Sequence, residues 1–156
     1  MKIDLRHPSN VKLFHYLKLL RKGSSNPPSI PPDSVADPYY GLGTHPDIVA
    51  RLWDEITVKL PSDCRWIVYG TPALVHPASG IVFGFAVGSH VYALRLPARE
   101  KQKALQSGAA QTHTFSDKSV LDAKDIGDDW VFGNWLADEI EWCLAARQFA
   151  EKSEPA

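Results

Sequence analysis

RWIVYGTPALVHPASGIVFGFAVGSHVYALRLP, residues 65–97, decides the fold class. Its apolar runs at 66–69, 73–76, 81–87 and 90–96 are strand length and are broken by Gly, Pro and Ser. Such spacing reads as antiparallel strands joined by tight turns. Gly88-Ser89 suits a two-residue hairpin turn of type I′ or II′. That turn pairs Val87 with His90, Phe85 with Tyr92, Phe83 with Leu94 and Ile81 with Leu96, so one face is apolar up to His90 at the tip. A slip of one residue would exchange the faces. The other face carries Val82, Gly84, Ala86, Val91, Ala93 and Arg95, small side chains around a single cation.

Working outward, residues 8–22 read as a helix with Ser9 as N-cap and Gly23 just past its end. Val11, Phe14, Leu17 and Leu20 form an apolar stripe, and Lys12, His15, Lys18, Arg21 and Lys22 make the remainder basic. Segment 24–38 holds five prolines and several serines, which exclude helix and sheet interior and point to an extended linker or arm. Tyr39 and Tyr40 precede a Gly41-Leu42-Gly43 loop that lacks the strand and third glycine of a phosphate-binding turn. A helix then opens with Thr44 as cap and Pro46 in its first turn, and Ile48, Leu52, Ile56 and Leu60 recur every four residues until Pro61. Residues 98–108 read as a short helix, 109–128 as irregular or weak strand, and 129–133 as strand or turn. A last helix is expected from an Asn134 cap to about Glu151, with Trp135, Trp142 and Phe149 on one line and Leu136, Ile140, Cys143 and Arg147 on another. That stripe is expected to dock on the sheet or on a second chain.

The expected fold is therefore α+β: an antiparallel meander of three to five strands with helices packed mainly on one face. The expected organisation is a basic amphipathic helix at 1–23, a linker or arm at 24–38, one α+β domain at 39–151 and a frayed tail at 152–156. With 156 residues there is room for a real core. The formal net charge of −1 gives no global pull toward nucleic acid or an anionic membrane. No apolar run approaches the length of a membrane span. No signal-peptide-like run opens the chain, so a cytoplasmic location is expected, with Cys64 and Cys143 as free buried thiols.

The words Gly80 to Ala86 (GIVFGFA), Tyr92 to Leu96 (YALRL), Ala104-Leu105 and Gly108-Ala109 stand in that order. In that order the chain resembles the N-terminal domain of TfoX-type competence regulators, over roughly residues 65–150, with MmcQ/YjbR-like domains as a second likeness. Arg95 stands where that family usually has Lys, and the proline-rich arm has no counterpart. The resemblance implies an α+β regulatory or interaction domain without catalytic residues, and it transfers no site residues.

No catalytic motif, cofactor motif or local metal-ligand spacing appears. His7, His15, His45, His76, His90 and His113 are scattered, and only a site assembled from distant loops stays open. The sharpest polar candidate is Arg95. If buried it needs a carboxylate or a bound anion, because an unpaired buried charge is costly. Asp129, Asp138 and Glu139 are its candidate internal partners, and Tyr39, Tyr40 and His45 are the candidate wall of a pocket for a small anionic ligand. The leading functional expectation is a non-catalytic regulatory or protein-interaction domain, with self-association plausible. The alternatives are an anion-binding protein or small enzyme at Arg95, and nucleic-acid binding through the basic first helix.

Overall fold

A computed structural model describes residues 3–20, 29–134 and 136–152. Part of the proline-rich segment (24–28), the positions Arg21, Lys22, Gly23 and Trp135, and the tail beyond 152 lie outside the described residues. The described chain forms α1 (Pro8–Leu20), β1 (Ser29–Ile30), α2 (Pro46–Ala50), β2 (Arg65–Val68), β3 (Thr71–Val75), β4 (Val82–Val87), β5 (Val91–Arg95), α3 (Ala98–Gln106), β6 (Thr112–Thr114), β7 (Val120–Asp122), β8 (Trp130–Gly133) and α4 (Glu139–Lys152). Six strands make one antiparallel sheet in the order β1-β2-β3-β4-β5-β8, and β6 and β7 make a separate hairpin. The antiparallel α+β expectation holds, with a sixth strand supplied by the arm.

The hairpin register differs from expectation by one residue. Val87 pairs with Val91, Ala86 with Tyr92, Phe85 with Ala93 and Gly84 with Leu94, across a three-residue turn that includes His90. The cause is the turn itself, which takes three residues in place of two, with Gly88 at a positive φ of 63°. A β-bulge lies on the other side of β4, in its ladder with β3. Leu74 pairs with Gly84 and Val75 with Val82, which leaves Phe83 as an extra residue. The bulge resets the alternation of β4. Ile81, Phe83 and Ala86 then enter one core, while Val82, Phe85 and Val87 enter another. Gly84 lies between Leu74 and Leu94, whose methyls would sit 3.1 and 3.2 Å from any added Cβ.

Both faces are thus apolar and buried. On one, Ile48, Leu52 and Trp53 from the second helical segment and Trp142, Cys143 and Ala146 of α4 pack on Leu74, Phe83, Tyr92 and Leu94. The α4 stripe therefore docks on its own sheet. On the other face, Leu13, Phe14 and Leu17 of α1 join Val68, Val82, Phe85 and Ala93, with Leu121, Ala123 and Ile126 beside them. The expected face of small residues is split: Val82, Val91 and Ala93 lie in this second core, whereas Ala86 lies in the first, and α1 belongs to the second core rather than standing apart.

The four-residue repeat of the second helical segment exceeds the 3.6 residues of an α-helical turn. The chain accommodates it with a π-helical turn over Arg51–Glu55, where the Ile56 N–H donates to the Arg51 carbonyl at 3.0 Å. Three expected caps shift. Pro8 opens α1 after His7, whose carbonyl accepts from the Asn10 and Val11 N–H groups. His45 rather than Thr44 caps α2, its Nδ1 accepting from the Asp47 N–H. Asn134 does not cap α4, which starts at Glu139; its Nδ2 donates to the His90 carbonyl.

At the β2–β3 turn Tyr69 and Gly70 both have positive φ, 47° and 76°, as a type I′ turn requires. Tyr69 holds this uncommon conformation under Phe14, edge-on at 5.3 Å, and Lys18, 5.0 Å above its ring.

Candidate functional site

The polar candidate Arg95 is 6% exposed. Its Nη2 lies 3.4 Å from Asp129, one of its three expected partners, and its guanidinium stacks 4.2 Å from the Phe149 ring of α4. Burial lowers its pKa and Asp129 opposes that shift. Backbone pairing places the two ends together, since Arg95 faces Trp130 across the β5–β8 ladder and the Leu96 N–H donates to the Asp129 carbonyl. An external anion at Arg95 would have to displace Asp129. Glu139, another expected partner, instead meets Arg51 of the π-helical turn. Burial raises the Glu139 pKa and Arg51 counteracts it.

Tyr39, Tyr40 and His45 do not assemble around Arg95. His45 caps α2, and its backbone N–H donates to the Gly88 carbonyl at 3.0 Å. Tyr40 is 72% exposed. The glycine loop between them is turn chemistry. The Gly41 N–H donates to the Asp37 carbonyl at 2.7 Å, and a Cβ at Gly41 would lie 2.7 Å from that oxygen.

Tyr39 lines a different place. A cleft of about 380 Å³ opens between the arm and β2, walled by Pro31, Pro32, Tyr39, Trp53, Trp66 and Pro77, with Asp33, Ser62, Asp63 and Arg65 around it. Its construction follows from local rules. β1 pairs only Ser29 with Val68 and Ile30 with Ile67. Pro31 follows, and a proline has no N–H with which to continue a ladder. The arm instead turns away through Pro32–Ser34, closed by the Ser34 N–H and Oγ to the Pro31 carbonyl. The space between the departing arm and Arg65-Trp66 is the cleft.

Its walls are held from behind. Tyr39 sits edge-on to buried Trp53 at 5.6 Å and donates its hydroxyl to Asp54 at 2.8 Å. Burial and Asp54 together raise the Tyr39 pKa, so the phenol stays protonated. Arg65 reaches the other oxygen of Asp54 at 3.2 Å. Trp53 Nε1 donates to the Ala73 carbonyl, and Trp66 Nε1 to the Asp63 carbonyl at 3.1 Å. Asp33 and Asp63 are exposed at the rim. Trp66 and Arg65 escaped notice in the sequence. Their signal was a tryptophan and an arginine opening a strand just after a proline-stopped helix.

Next to the cleft, Cys64 Sγ lies 3.4 Å from Arg147 Nε, and Arg147 lies 4.0 Å from Asp63. Burial raises the pKa of both Cys64 and Cys143, more than Arg147 offsets at Cys64. Both thiols are free and buried. Neither is an activated thiolate. His76 Nδ1 accepts from the Ala78 and Ser79 N–H groups, which ties its ring to the turn before β4. Among the described residues no group of three or more His, Cys, Asp and Glu side chains could hold a metal ion. Among them, too, no helix is long and apolar enough to cross a membrane. Comparison with family models, curated proteins and solved structures finds no match to this chain.

Proposed function

We propose that this chain is a non-catalytic interaction domain that captures an extended segment of a partner protein in the cleft between the arm and β2, with a lysine or arginine of that segment as the anchor. The observation that carries this reading is the cleft's composition: aromatic and proline walls under two exposed carboxylates, Asp33 and Asp63. Aromatic rings and prolines suit the aliphatic stem of a long basic side chain, and the rim carboxylates suit its head. The open edge beside Arg65 and Trp66 offers backbone groups to an added strand. The resemblance to TfoX-type regulatory domains points the same way, and free thiols suit a cytoplasmic protein.

The test is a peptide array with and without Lys and Arg, followed by titration of the best binder while Trp fluorescence is read. Binding that needs the basic residue and is lost in Trp66→Ala supports the reading. Binders indifferent to Trp66→Ala, or none at all, remove it. Self-association is the second reading. Leu5, Val11 and Leu19 are exposed in or before α1, and Leu5 and Val11 share a concavity with Phe14, His15, Lys18 and Tyr69. Sedimentation of the wild type and of Val11→Lys decides it.

A further inference from the structure

The net charge of −1 hides an uneven division. Residues 1–22 hold six Lys and Arg against the single Asp4, a formal +5, so the remainder of the chain carries −6. α1 turns that excess outward. Its buried stripe, Leu13, Phe14 and Leu17, is used in the second core. Its exposed side carries Val11, Lys12, His15, Lys18 and Leu19, and Leu5 and Arg6 stand exposed just before it. No acidic residue occurs in α1, and Arg21 and Lys22 follow it in the sequence. Leu5, Val11 and Leu19 are 54, 48 and 61% exposed. Leu5, Val11, His15 and Lys18 border a concavity of about 350 Å³ with Tyr69, and Lys18 Nζ stands 5.0 Å from the centre of that ring. Asp4 is turned back onto the Arg6 and His7 N–H groups, accepting at 2.9 and 3.0 Å. Asp122 and Asp125, on the turn packed beside α1, flank Lys124.

We propose that the outer face of α1 docks on an anionic lipid surface, with Leu5, Val11 and Leu19 entering the interface and Arg6, Lys12 and Lys18 meeting the lipid phosphates. Aliphatic and cationic side chains interleaved on one exposed helix side are the composition of an interfacial helix. Charge sets the orientation: anionic headgroups attract the basic segment and repel the acidic remainder. The aliphatic side chains select lipid over nucleic acid, because a duplex would neutralise the lysines and leave Leu5, Val11 and Leu19 in water. A symmetric contact between two copies would set Lys12, His15 and Lys18 against the same cations. Half-buried Tyr69 adds a ring with a polar tip, which suits the headgroup level. This face shares no lining residue with the cleft between the arm and β2.

The experiment is co-sedimentation of the intact, tag-free chain with vesicles, either phosphatidylcholine alone or a three-to-one mixture of phosphatidylcholine and phosphatidylserine, at low and at physiological salt. The expected result is binding to the mixed vesicles only, with affinity falling as salt rises. Lys12→Gln and Lys18→Gln should each lower affinity about fivefold. Val11→Ser combined with Leu19→Ser, which keeps every charge, should lower it at least about tenfold. Lys103→Gln, on α3, should leave it unchanged. Melting curves verify that each variant folds. Absence of binding to the mixed vesicles at low salt, equal binding to both vesicle types, or full affinity in the Val11/Leu19 double variant overturns the proposal. Salt-sensitive binding of duplex DNA that the lysine variants lose, without vesicle binding, assigns the face to nucleic acid instead.

Discussion

Arg95 and Arg65 each meet an aspartate, yet they sit in opposite surroundings. Arg95 is enclosed, with Asp129 at 3.4 Å and Phe149 stacked on it. Arg65 is about one-third exposed, with Asp54 at 3.2 Å and a cleft in front of it. A buried cation must be satisfied by the fold itself, so its partners are spent on stability. Aromatic and charged groups left partly in water keep capacity for a partner. The difference separates a corner that holds the sheet end to α4 from a surface that can receive something.

The largest test of this contrast is Trp53→Ala. Trp53 is fully buried and backs the Tyr39 wall, so truncation should cost about 3–5 kcal/mol in chemical denaturation and remove the cleft as well. Next comes the Arg95 corner. Asp129→Ala leaves a buried guanidinium without that carboxylate and should cost about 1–3 kcal/mol. Arg95→Met keeps an apolar stem on Phe149 and should cost less. If Arg95→Met is the costlier change, the corner is not held by charge. Trp66→Ala should change stability by no more than about 1 kcal/mol, because the ring is only half-buried, while abolishing peptide capture. A large stability loss would move Trp66 from the receiving surface to the core.

The smallest effect is one of pH. Burial, with Arg147 nearby, lowers the His76 pKa from its usual 6.5, opposed by Glu151 at 4.0 Å and by Asp63. The unfolded state then binds the proton more readily than the folded state. The contribution of His76 is therefore present above about pH 6.5 and is lost as pH falls through its lower folded value. His76→Asn can keep an acceptor for the Ala78 and Ser79 N–H groups without titrating there. It should flatten the fall in stability between pH 7.5 and 5, measured by denaturant titration at each pH. An unchanged slope would assign the acid sensitivity elsewhere.

Much of this was legible in residues 65–97, because period-two apolar runs between Gly and Pro leave few alternatives to an antiparallel sheet. That Arg95 needs a carboxylate was also legible, since a buried guanidinium requires one, but Asp129 was only one of three candidates with Asp138 and Glu139, and the β5–β8 pairing is what selects it. The register was not. Strict alternation gave Ile81, Phe83 and Phe85 apolar partners and left Val87 opposite His90, and neither the third turn residue nor the bulge at Phe83 is visible when both faces are apolar. The cleft was hidden for another reason. Tyr39, Pro31 and Trp66 are joined only by the docking of the arm on β2, a long-range pairing of two residues with no local signature. The π-helical turn did leave a trace in the four-residue spacing of Ile48, Leu52 and Ile56.

The Asn10 side chain ties α1 to the start of β4. Its amide donates to the carbonyls of Asp4 and Gly80, at 2.7 and 2.9 Å, and accepts from the Val82 N–H at 3.0 Å. One side chain thus stands in for a strand at the start of β4, closing a loop of about seventy residues. Contacts of such sequence separation are slow to form. Until α1 arrives, Val82 and Phe85 face water across an unfinished layer. The chain's folding speed and its escape from aggregation should therefore depend on how quickly α1 finds the sheet, and Asn10→Ala should slow refolding even under conditions where the native state survives.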